Sequence, residues 1–119
     1  MADRGPHLAG EIVSSLSLGR LAAALRMGGL AAELRESSHY EGGRYIRVTE
    51  DGDFTVEQVA SGDFLIRAAA DSDQQLLDTA SSASKALAVQ GIRHRFELYD
   101  GESMMVQYLH HLWPQGLSA

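Results

Sequence analysis

Five histidines, two groups of serines and several close-set carboxylates are the residues of this chain whose types could do chemistry. His94 lies in the run Ile92-Arg93-His94-Arg95-Phe96-Glu97-Leu98-Tyr99, whose alternation places it on the apolar face of a strand. From there it could approach His110 on a paired strand, and two imidazoles with a nearby carboxylate would suffice for zinc. His110 and His111 are neighbours, so on a strand their rings point to opposite faces and do not readily chelate one ion together. No His-Glu-x-x-His or comparable spacing is present. A buried, hydrogen-bonded His94 beside a surface histidine is the simpler expectation, and no metal or cofactor is assigned.

The other chemistry-bearing groups have structural explanations. Ser14, Ser15 and Ser17, then Ser72, Ser81, Ser82 and Ser84, fall in helix or cap contexts, and no Gly-x-Ser-x-Gly elbow occurs. A pair of carboxylates held a few ångströms apart could serve glycoside cleavage. Glu50, Asp51 and Asp53, however, gather at the tip of an expected hairpin, and Asp71 and Asp73 at a helix start, where they complement the helix dipole. Gly42-Gly43-Arg44 lacks the Gly-x-x-x-x-Gly-Lys pattern of a phosphate loop and no helix follows it. No catalytic residue is assigned.

The elements that must position these side chains can be read from spacing. Residues 1–10 read as a flexible arm. Ile12, Val13, Leu16, Leu21, Ala24 and Leu25 recur at helical spacing over 11–27; Ser17 could cap a second half if Gly19 weakens the middle, and Gly28-Gly29 form a stop. Residues 30–36 alternate like a strand, with a continuation of the preceding helix as the alternative, and 37–43 form a loop by composition. Tyr45-Ile46-Arg47-Val48 and Phe54-Thr55-Val56-Glu57 flank Asp51-Gly52, a favoured hairpin pair, and Ser61-Gly62 turns the chain into Phe64-Leu65-Ile66-Arg67-Ala68. Ser72-Asp73-Gln74-Gln75 reads as a capping box, followed by an apolar stripe of Leu76, Leu77, Ala80, Ala83 and Leu87 and closed by Gly91. Asp100-Gly101 is a second hairpin signal, leading into 104–112, where strand and helix periodicities compete and the turn favours a strand through about His110.

The expected fold is therefore α+β. An N-terminal helix precedes an antiparallel meander of three or four strands, a second helix over about 72–90, and a C-terminal β-hairpin over about 92–110. Both helices pack on one face of the sheet. Residues 11–113 form the single domain and 114–119 a tail. On these registers Tyr45, Arg47, Thr55, Glu57, Arg67, Arg93, Arg95, Glu97 and Tyr99 point away from the helices. Tyrosine and arginine are the side chains enriched at protein interfaces, and on a sheet they can also stack single-stranded nucleic acid. Cross-strand Arg–Glu pairing on a solvated sheet is the plainer reading of the same residues.

Length and composition bound the role. The 119 residues are enough for one domain, and 45% hydrophobic with 22% charged residues is ordinary for a globular chain. The net charge of −6 opposes binding to nucleic acid, which needs cations to neutralise phosphates. No run approaches the ~20 apolar residues of a membrane span, and the N-terminus leads into a mixed segment rather than a signal-peptide core. The absence of cysteine fits a reducing, cytoplasmic setting.

By architecture alone, an acidic helix–meander–helix–hairpin chain is similar to dedicated bacterial secretion chaperones and toxin-neutralising immunity proteins. That resemblance implies a non-enzymatic, stoichiometric binder of one cognate protein, with Tyr45, Arg47, Arg67, Arg93, Arg95, Glu97 and Tyr99 as its contact residues. Two alternatives remain at this point: a small-molecule or metal-dependent enzyme using His94 and His110, and a single-stranded nucleic-acid binder on the Tyr–Arg face. Tyr108, Leu112 and Trp113 make an aromatic-apolar end that could complete a homodimer interface.

Overall fold

The computed structural model describes residues 5–50, 53–59 and 62–113. The elements run β1 (His7–Val13), α1 (Leu18–Met27), β2 (Glu33–Glu36), a 3-10 turn at Glu41–Gly43, β3 (Arg44–Arg47), β4 (Phe54–Gln58), β5 (Phe64–Ala69), α2 (Asp73–Val89), β6 (Arg93–Tyr99) and β7 (Met105–His111). All seven strands join one antiparallel sheet in the order β2-β3-β4-β5-β1-β6-β7. The fold is α+β, with the helices on one face of the sheet. Among the described residues no helix is long and apolar enough to cross a membrane.

The N-terminal segment corrects the sequence expectation. Residues 7–10, read as part of an arm, and 11–13, read as the start of a helix, are one strand paired on both sides, His7–Val13. The meander and the C-terminal hairpin are therefore not separate units, because β1 lies between β5 and β6 and joins them. Residues 1–4 and 114–119, and the Asp51-Gly52 turn, lie outside the described residues.

Helix α1 begins only at Leu18, with the Ser17 hydroxyl accepting from the Arg20 N–H at 3.2 Å. Helix α2 begins where its serine predicts: the Ser72 hydroxyl accepts from the Gln75 N–H at 3.1 Å. The reciprocal bond of the capping box is displaced by one residue, since the Gln75 amide oxygen accepts from the Asp71 N–H at 3.3 Å. Both helices end in Schellman turns. In α2 the Ile92 N–H reaches Leu87 O and the Gly91 N–H reaches Ala88 O, with Gly91 at φ 72°. In α1 it is Gly29 that takes the left-handed conformation (φ 91°); Gly28 has another task, for a Cβ there would stand 2.3 Å from that of Ala86, so its bareness lets the helices touch.

The core lies between the helices and one sheet face. Leu8, Ile12, Ile46, Val56, Phe64, Ile66, Phe96 and Leu98 from the strands meet Leu21, Leu25, Leu76, Ala80 and Leu87 from the helices. Gly10 belongs to the same inward face of β1, and a Cβ on it would sit 2.3 Å from Arg95 O. Close approach of β1 and β6 is thus possible only without a side chain at that position.

Gly10→Ala is expected to destabilise the chain by about 1–3 kcal/mol, the usual cost of overpacking a close contact. Urea denaturation measures it, and an unchanged midpoint would show that β1 and β6 can part without loss.

Candidate functional site

Strand alternation sends every second side chain of the sheet to the face that no helix covers. Tyr45 and Arg47 on β3, Thr55 and Glu57 on β4, Arg67 on β5, and Arg93, Arg95, Glu97 and Tyr99 on β6 all lie there, opposite the buried Ile46, Val56, Ile66, His94, Phe96 and Leu98. The structure adds members that the sequence reading missed. His7, Ala9 and Glu11 come from β1, Glu33 and Arg35 from β2, and Tyr108 and His110 from β7.

These residues form two polar clusters. In the first, Glu11 Oε1 accepts from Arg95 Nη2 at 2.6 Å and Nε at 3.1 Å, tying β1 to β6. Arg95 Nη1 donates to Glu97 at 2.9 Å, and the Tyr99 hydroxyl donates to the same carboxylate at 2.6 Å. That bond to Glu97 raises the Tyr99 pKa, because an anionic phenolate would lose it and face the carboxylate's charge. The Tyr99 ring stacks on His7 with centroids 5.1 Å apart. Trp113 lies beneath the guanidinium groups of Arg93 and Arg95, at 4.8 and 5.3 Å from its ring centre.

In the second cluster, Glu33 bridges Arg35 at 2.8 Å and Arg47 at 2.9 Å. Its pKa is lowered, first by the hydrogen bond from Arg35 and then by the charge of Arg47. Tyr45 stacks on Tyr40 from the preceding loop.

Between the clusters β1 contributes only Ala9, flanked in register by Arg67 and Glu97. A furrow of about 250 Å³ results, lined by Ala9, Glu11, Leu65, Arg67, Arg95 and Glu97. Arg67 stands at its rim with 71% of its side chain exposed and its partner Glu57 at 3.9 Å.

His94 and His110 do not converge. His94 is fully buried, and its register partner is His111, not His110. The cause is a β-bulge: Tyr99 pairs with Met105 but Leu98 with Gln107, so Val106 is an extra residue that flips the parity of the rest of β7. His110 consequently lies on the open face, opposite Arg95 and stacked on Tyr108. Both nitrogens of His94 are occupied. Nδ1 lies 2.9 Å from Ile92 O, a pure acceptor, which assigns the proton there and leaves Nε2 to accept from the Ser84 hydroxyl at 2.7 Å. Among the described residues no group of three His, Asp or Glu side chains could hold a metal ion.

Burial is the main cause that lowers the His94 pKa below its ordinary 6.5, with the nearby His111 and His110 adding to it. The unfolded chain therefore binds a proton at this residue more readily than the folded one. Stability is expected to be fully present above pH 6.5 and to fall as the pH drops below it, toward the lower folded-state value. Thermal midpoints followed down from neutral pH check this, and His94→Leu should flatten the slope. An equally steep slope in that variant would assign the effect to other groups. The chain matches no protein-family model, no curated protein and no solved structure.

Proposed function

We propose that this chain is a non-enzymatic, cytoplasmic protein-binding domain that holds one cognate protein against the open face of its sheet. The observation that carries the reading is the composition of that face. Arg35, Arg47, Arg67, Arg93 and Arg95 gather on it with Tyr45, Tyr99, Tyr108 and Trp113, around a furrow floored by Ala9. Arginine and aromatic side chains are those that dominate binding energy when a partner excludes water around them.

Charge is distributed to suit this use. The chain carries a net −6, yet the arginines of the open face are balanced by Glu11, Glu33, Glu57 and Glu97. The excess acid therefore lies elsewhere, in positions such as Asp71, Asp73, Asp78, Asp100 and Glu102. An acidic periphery accelerates encounter with a basic partner, while a near-neutral face avoids burying uncompensated charge. A small acidic binder of this kind fits the way secretion chaperones and immunity proteins work.

The two alternatives draw less support. Arg95 is already neutralised by Glu11 and Glu97, and the Tyr99 ring is covered by His7, so neither group is available to grip a phosphate or stack a base. The enzyme reading needed His94 and His110 in one pocket, and they occupy opposite faces of the hairpin.

Arg67 and Arg93 are the residues to reverse, because both are exposed, whereas Arg95 also holds β1 to β6. Arg67→Glu with Arg93→Glu is expected to weaken capture of the partner at least about tenfold while the chain stays folded and its thermal midpoint falls by no more than about five degrees, the scale of the lost Arg93–Trp113 contact. Affinity capture from lysate of the producing cells, with each bound protein quantified, tests it. Retention of the same one-to-one partner by the double variant would refute the assignment of the face, and loss of folding would show that these arginines hold the sheet together rather than the partner.

A further inference from the structure

The two edges of the sheet are built differently. β2, at one edge, has the sequence Glu-Leu-Arg-Glu and is only four residues long, a short charged strand of the kind that resists pairing with another chain. β7, at the other edge, is seven residues long, and from Met104 to Trp113 the chain carries no Asp, Glu, Lys or Arg. Among the described residues nothing pairs with its outer side.

The exposed apolar side chains of the molecule are concentrated on this strand. Among the described residues six large hydrophobic side chains stand in solvent, and four belong to it or its flanks: Met104 (63% exposed), Met105 (56%), Val106 (53%) and Leu112 (63%). Leu112 is also held at φ 57°, a left-handed conformation that costs a leucine about 1–2 kcal/mol. Its exposed side chain shows little packing within the chain in return.

We propose that β7 pairs antiparallel with β7 of a second copy of this chain, giving a two-fold dimer with one continuous sheet. Charge selects the occupant. The chain is acidic, so two copies repel, and carboxylates brought opposite one another across a two-fold axis would oppose pairing. The β7 edge is the strip where a copy meets its own image without such a clash. Main-chain pairing along the roughly 17 Å of regular strand past the bulge, residues 107–111, leaves much to be supplied before a standard interface of about 800 Å² per partner is reached. Met104, Met105, Val106 and Leu112 supply apolar area beside it. Antiparallel pairing about an axis normal to the sheet keeps the faces of both copies aligned, so the two open faces lie side by side and all four helices stay on the other side. The dimer is independent of the binding role proposed for the open face, and neither fails with the other.

The chain has no cysteine, which makes a single introduced thiol unambiguous. Sedimentation equilibrium between about 1 and 100 μM is expected to show the wild-type mass rising from 12.9 kDa to twice that value. Met105→Lys with Val106→Lys should remain at 12.9 kDa throughout and keep the wild-type thermal midpoint at low concentration, where the wild type is itself monomeric. Under oxidation, at least one of Val106→Cys, Gln107→Cys and Tyr108→Cys should cross-link two copies, because opposed residues across an antiparallel pair come within disulfide reach. Arg35→Cys on the opposite edge should not. A wild-type mass fixed at one chain at 100 μM, growth beyond two chains, dimerisation retained by the lysine variant, or no cross-link at any of the three positions would each overturn the proposal.

Discussion

The strand that the rest of the molecule depends on is β1, and β1 depends on Gly10. A central strand must satisfy hydrogen bonds on both sides and pack closely against two neighbours, and here one neighbour precedes α2 in the chain and the other follows it. The 2.3 Å between a would-be Cβ at Gly10 and Arg95 O leaves no room for a side chain. Bareness at that point fixes how near β6 lies to β1. The register that follows puts Glu11 against Arg95, Ala9 between Arg67 and Glu97, and His7 beside Tyr99. The first polar cluster and the furrow of the open face are set by that one alignment, so the strand that closes the sheet also assembles this half of the candidate site.

Two kinds of polar group answer to different physics in this fold. His94 is fully buried, and an unmet hydrogen bond there would cost about 1–3 kcal/mol. Ile92 O and the Ser84 hydroxyl meet both nitrogens, which pins β6 beneath α2. The ion pairs of Arg95 with Glu11 and Glu97 are partly hydrated and contribute at most about 1 kcal/mol each. Their value is geometric: Glu11 and Glu97 fix the position of the Arg95 guanidinium, which lies 5.3 Å from the centre of the Trp113 ring. Stability therefore resides on the covered face and surface chemistry on the open one.

Much of this was legible in the sequence where a residue type had a local mechanism. Ser72 and Gly91 bound α2 because a hydroxyl cap and a left-handed glycine act within one turn of the helix. The Asp100-Gly101 turn was marked because the Asp100 carboxylate folds back onto the N–H groups of Glu102 and Met104. The arginine-rich face followed from alternation in β3, β4, β5 and β6. β1 was not legible, because its inward position 10 is glycine and its outward position 9 is alanine, so the alternation is silent where it should be loudest. Ile12, Val13 and Leu16 then supplied a false helical spacing. The bulge was hidden for a related reason: Met-Met-Val-Gln contains no residue that favours a bulge, and without Val106 as an extra residue His94 would face His110, as periodicity alone implies. Glu11, His7 and Trp113 could not be placed at the site until β1 and the end of β7 were in register.

The bulge also explains how the two ends of β7 differ in purpose. Before it, Ser103 at φ 64° closes the turn, and Met104 O accepts from the Asp100 N–H, which anchors the strand to β6. After it, the parity change sends Leu109 and His111 toward α2 and Tyr108 and His110 to the open face. The left-handed Leu112 then ends the strand, and Trp113 follows it onto Arg93 and Arg95. Without the extra residue the two sets of side chains would exchange faces, exposing Leu109 and burying the Tyr108 hydroxyl. A single inserted residue at an edge strand thus decides which aromatic groups reach the open face, at the cost of a local twist that no longer mirrors β6.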